Sequence, residues 1–171
     1  MSTIAHRTPA VARDSVARGV AGSIAALTAA AFSLSAGLVH LGYTKTHWIV
    51  WLPYGLFFLG TGIAQTLLAG FLAARRPPAW LTLGAIAGNL GVIALYVVSR
   101  TPYGAPIGPM RGHPELPEPI DMATTVGEFV TVVALLMLLP ARLARHTATV
   151  LLLAGAALWY LRLSGTLALS A

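Results

Sequence analysis

Five long apolar blocks, separated by polar or proline-bearing breaks, run through the chain. A block of about 20 apolar residues wound as a helix matches the thickness of a bilayer's hydrocarbon core. In lipid the backbone must satisfy its own polar groups, and a helix does so within one segment. The blocks therefore predict an all-α, polytopic integral membrane helical bundle of about five transmembrane helices. The expected spans are about residues 19–43, 48–74, 79–99, 122–140 and 147–169. Composition agrees: 57% of residues are hydrophobic and 9% charged, against roughly 25% charged in soluble domains.

The basic residues set the orientation. Arg7, Arg13, Arg18, Arg75, Arg76, Arg142 and Arg145 fall on one side of the blocks, and only Lys45, Arg100 and Arg111 on the other. The richer side is expected to be cytoplasmic, which puts the N-terminus in and the C-terminus out. Residues 1–18 read as a basic cytoplasmic arm. The first block is longer than the roughly 7–15 apolar residues of a signal-peptide core, so it is expected to stay as a span. The net charge of +6 reflects these topology determinants, and no nucleic-acid partner is expected. The absence of cysteine excludes disulfides, thiolate metal sites and thiol catalysis.

Polar residues inside a span are costly, so their positions carry information. Ser33, Gly37, His40 and Thr44 recur at helical spacing in the first span. Tyr54, Phe58, Thr61, Gly62 and Gln65 share a face of the second, and Asn89, Tyr96 and Arg100 a face of the third. Asp121, Thr124, Thr125, Glu128 and Thr131 do so in the fourth. At about 1.5 Å per residue, Glu128 and Arg162 would each lie roughly 9 Å below the outer ends of their spans and His40 roughly 5 Å down, with Arg100 at the rim. A candidate ligand or ion site of His40, Asn89, Tyr96, Arg100, Asp121, Glu128 and Arg162 is expected in the outer leaflet. The bland alternatives are an ion pair of Glu128 with Arg162 or Arg100, an interfacial histidine at position 40, and interhelical glue for Asn89 and Gln65. A weaker metal set is His40, His47, His113 and Glu128. Gln65 is placed deeper, as a packing residue, along with the small-xxx-small pair Gly84 and Gly88.

Residues 100–121 form the most distinctive stretch, with six prolines and three glycines. They are expected to be a stiff, ordered cover over the polar cluster, clamped by Arg100 at its root and Asp121 at its end. Tyr103, Pro106 and Ile107 are expected to pack downward.

Taken in order, His40, His47-Trp48, Gly55-x-Phe57-Phe58, Gln65, Asn89, Ser99-Arg100-Thr101 with Gly104-x-Pro106-x-Gly108-Pro109, Asp121 and Glu128 form a set. It resembles a group of small multi-span membrane proteins of high-GC, actinobacterial-type bacteria. The resemblance covers about residues 35–138 and implies membrane location and that the polar set belongs together. It brings no activity.

No hydrolase elbow, phosphate loop, zincin helix or dinucleotide fingerprint is present. The expected function is a ligand-, ion- or proton-binding transport or accessory subunit of a bacterial cytoplasmic (inner) membrane. A haem- or metal-binding redox protein and a purely structural assembly subunit are the alternatives. No cofactor is the first expectation, with metal or haem belonging to the redox alternative. The expected partners are the lipid bilayer, other membrane subunits or further copies of the chain.

Overall fold

The computed structural model describes residues 9–101 and 103–163, with side chains for 16–17, 19–101 and 103–160. It consists of five helices: α1 (Pro9–Val50), α2 (Leu52–Ala74), α3 (Ala79–Ser99), α4 (Pro119–Leu138) and α5 (Ala141–Leu163). No strand occurs among the described residues. Four helices are long and apolar enough to cross a membrane: Gly19–Val50, Leu52–Ala74, Ala79–Ser99 and Pro119–Leu138. The chain is an all-α bundle of a membrane protein. α5 is the fifth helix but is not among these four, and the final residues of the expected fifth span, 164–169, lie outside the described residues.

Several boundaries differ from the sequence reading: α4 starts at Pro119 rather than 122, and α5 at Ala141 rather than 147, so Arg142, Arg145 and His146 are helical. The arm expected to end at Arg18 is helical from Pro9 onward. The expected loop Thr44–His47 is also helical. There Thr44 Oγ1 donates to His40 O at 3.0 Å and the His47 ring bonds Tyr43 O at 3.0 Å, so these polar side chains serve their own helix. The break falls instead at Trp51, which is extended. Pro53 explains the position: it has no N–H to continue the α1 ladder and its ring clashes with the carbonyl four residues back, while a proline is tolerated in the first turn of a new helix. At the other end of α2, Arg75 caps the helix before Pro77 and Pro78.

α1 packs along α2 and α4, and α4 packs on α3, while α5 touches α4 sparingly. Where α1 and α2 cross, a Cβ on Gly37 would lie 3.0 Å from Gly62 O, and one on Gly62 would lie 3.0 Å from Gly37 O. Bare glycines at both positions let the two backbones approach. The expected packing pair Gly84 and Gly88 is not used this way. Both residues are exposed with nothing within 4 Å of a built Cβ, and so is Gly91. A small-residue face permits close packing without naming a partner, and among the described residues nothing fills it.

The apolar core lies toward the end that carries Arg75 and Arg142, hereafter the basic end. It comprises Ala29, Ala30, Leu72, Ile86, Val132, Ala134, Leu135 and Leu139. Toward the opposite, loop end the buried side chains become polar: Ser33, His40, Gln65 and Glu128. Large apolar residues such as Leu67, Val126 and Leu152 point outward, as they do where the solvent is lipid.

Candidate functional site

The expected single cluster separates into two layers. The rim layer centres on Arg100, the C-cap of α3. Its Nη1 donates to Glu115 Oε2 at 2.7 Å and to Ser99 Oγ at 2.6 Å, and its Nη2 pairs with Asp121 Oδ2. The guanidinium also lies over the Tyr96 ring, 4.1 Å from its centroid. Asp121 sits in the first turn of α4, where the helix dipole favours an anion. Arg100 thus ties the end of α3 to the start of α4 and to the loop between them.

That loop is ordered. Gly104 and Arg111 form an isolated antiparallel bridge, and Gly112 N donates to Tyr103 O at 2.7 Å. The Tyr54 hydroxyl donates to Ile107 O, which draws the loop over the start of α2. Gly108 is required there: its φ is +83° and a Cβ would lie 2.7 Å from the Trp51 ring. The side chains expected to pack downward do not. Tyr103, Pro106 and Ile107 are exposed, and Ala105 is the buried apolar residue of the loop.

The Arg100 pairs are partly open to solvent, with side-chain exposures of 17%, 36% and 31% for Arg100, Glu115 and Asp121. Pairs of this kind contribute about 1 kcal/mol or less. Arg100→Ala is therefore expected to lower global stability little and to release the loop. Limited proteolysis within residues 103–118 should become faster than in the wild type, and an unchanged cleavage rate would show that the clamp is not what orders the loop.

The deeper layer lies between α1, α2 and α4. Glu128 on α4 is 1% exposed and Gln65 on α2 is 5% exposed. Gln65 Nε2 donates to Glu128 Oε1 at 2.9 Å. Ser33 Oγ on α1 donates to the Gln65 backbone carbonyl at 2.8 Å, and Thr131 bonds its own helix at Gly127 O. His40 on α1 is also buried. Its Nδ1 faces Ala36 O at 2.9 Å, and the Gln65 side chain lies beside it. The Oε1 of Gln65 is buried with no hydrogen-bond partner.

This layer corrects the sequence reading in three ways. Gln65 does bridge two helices, as expected, but it meets Glu128 rather than lying apart from it. Glu128 is bonded to Gln65 and not to Arg100, which is committed to Glu115 and Asp121. Asn89 is buried but bonds its own helix through Ala85 O at 2.8 Å, with Oδ1 unpartnered. The side chain of Arg162 lies outside the described residues, and with it the expected Glu128–Arg162 pair. The weak metal set is not brought together. His40 and His47 flank the Phe58 ring, at 5.3 Å and 3.6 Å between centroids, while His113 sits in the loop. Among the described residues no three His, Asp or Glu side chains are placed to hold one metal ion.

No family model, no curated protein and no solved structure matches this chain.

Proposed function

We propose that the chain is a small multi-pass protein of a bacterial cytoplasmic membrane, with the loop end outside. In this reading the α1–α2–α4 interface binds a proton or a small cation, as part of a transport element or an accessory subunit. The distribution of arginine supports the orientation.

The observation that carries the reading is Glu128. Its carboxyl group is buried within a candidate membrane span, and its hydrogen bond comes from a neutral amide. Among the described residues no lysine, arginine or histidine forms an ion pair with it. An uncompensated intramembrane carboxylate is expensive. A bound proton or a small cation compensates it, and the free Oε1 of Gln65 offers a second oxygen at the same place.

The accessory role draws on a separate feature. α5 is exposed along Leu152–Tyr160, and the Gly84–Gly88 face of α3 is open. Both surfaces suit lipid or a neighbouring membrane subunit.

The test is thermal unfolding of detergent-purified protein, scanned over pH and over added Na⁺, Li⁺ and K⁺. A ligand that binds only the folded state raises its stability, and a proton does so as pH falls. The wild type is expected to be stabilised by one of these ligands and Glu128→Gln to lose that response. Equal responses in the two proteins would defeat the reading.

A further inference from the structure

The Glu128–Gln65 pair leaves His40 unexplained. A backbone carbonyl only accepts hydrogen bonds, so Nδ1 of His40 is the protonated nitrogen that donates to Ala36 O. The neutral ring then carries its lone pair on Nε2. Beside it lies the Gln65 side chain, whose Oε1 is an acceptor without a donor. The amide is oriented by its other end, because Nε2 of Gln65 donates to Glu128. The imidazole and the amide thus both lack one hydrogen.

We propose that His40, Gln65 and Glu128 bind a single proton as a unit, and that it enters from the loop end past Phe58. The inference rests on the reading of Glu128 as an ion site and narrows the ion to a proton. The chemistry balances without a co-reactant. Hydronium arriving along a water chain gives its proton to His40 Nε2 and remains as water, and the new N–H donates to Gln65 Oε1. The Glu128 carboxylate, held by the same amide, is the counter-charge. Moving that proton to the carboxyl group gives a tautomer of the same charge, so the loaded unit is neutral in either form. Strongly interacting groups of this kind titrate as a pair.

The entry route follows the α1 surface. His47 lies two turns nearer the loop end, about 10 Å along the helix, and its ring is part-exposed. It stacks on Phe58 with 3.6 Å between centroids and 15° between planes. Phe58 in turn lies 5.3 Å from His40. A phenyl ring passes no proton, so Phe58 acts as a positioning residue that must swing aside to admit water between the two imidazoles. Toward the loop end, the other titratable or charged groups are Tyr43 and Lys45 on α1, Tyr54 on α2, Tyr96 on α3 with Arg100 at its C-cap, and Asp121 on α4, while Arg13, Asp14 and Arg18 of α1 lie toward the basic end. Arg100 and Asp121 are committed to each other.

Infrared difference spectroscopy of the protein in nanodiscs tests this. The carboxylic-acid carbonyl band of Glu128 is identified by its loss in Glu128→Gln and followed between about pH 5 and 8. His40→Gln is expected to move its midpoint by about one pH unit or more. Phe58→Ala is expected to leave the midpoint in place and to speed the band's response to a pH jump several-fold, with Phe58→Leu close to wild type. A midpoint unmoved by His40→Gln, or a response unchanged in Phe58→Ala, overturns the proton unit while leaving Glu128 as an ion site. A wild-type band that does not titrate also overturns it, and stabilisation by a metal cation then decides the underlying reading separately.

Discussion

Replacing Gly37 with leucine is expected to unseat α1 from α2 and to lower the unfolding temperature of the purified protein sharply. A Cβ there would lie 2.7 Å from Thr66 Oγ1, 3.0 Å from Gly62 O and 3.1 Å from Thr66 N. Two of those atoms are helix backbone, which yields only if the helices move apart. Overpacking a tight contact costs about 1–3 kcal/mol, and a clash with backbone belongs at the upper end. Gly60→Leu is the control, because nothing lies within 4 Å of its built Cβ. There the exchange removes a helix glycine and can stabilise by up to about 1 kcal/mol. Equal unfolding temperatures for the two variants would refute the crossing.

Gln65→Leu carries the second large effect. It removes the hydrogen bond given to Glu128 and strands a carboxyl group that is 1% exposed. Leaving a buried polar group unsatisfied costs about 1–3 kcal/mol, and more for a charged one. The double variant Gln65→Leu/Glu128→Leu replaces both partners with apolar side chains, which is often nearly neutral. A double-mutant cycle in thermal or denaturant unfolding is therefore expected to show strong coupling, with the double variant more stable than Gln65→Leu alone. Additive losses would mean that the two side chains do not form one energetic unit.

Much of the fold was legible in the sequence for a plain physical reason: the bilayer imposes a length on apolar segments. The same signal is blind beyond the lipid boundary. Thr44, Lys45, Thr46 and His47 are polar enough for a loop, yet a helix can continue into water, and α1 does. Pro53, six residues beyond His47, marks the true break. That error propagated into depth. With α2 beginning at Leu52 and α4 at Pro119, Gln65 lies about 20 Å and Glu128 about 14 Å along their helices. Unequal depths along two helices can meet when the helices are tilted or offset, and spacing along one chain does not reveal that. Periodicity identified the polar faces bearing His40, Gln65 and Glu128, but which faces meet is decided by tertiary packing. The glycines show the same limit. Gly84-x-x-x-Gly88 looked like the contact, whereas the bare crossing was made by Gly37 and Gly62, which carry no shared local motif.

The continuous α1 helix has a mechanical consequence. Its apolar part, Gly19–Val50, has 32 residues and is about 48 Å long, against a hydrocarbon core of about 30 Å. Part of the excess is the polar turn Thr44–His47, which projects through the headgroups; the apolar remainder is hydrophobic mismatch, relieved by leaning or by thickening the adjacent lipid. α2 joins α1 through Trp51 alone and cannot slide along it freely. A thinner bilayer therefore inclines the hairpin as one strut, and the angle at which α1 meets α4 becomes sensitive to membrane thickness.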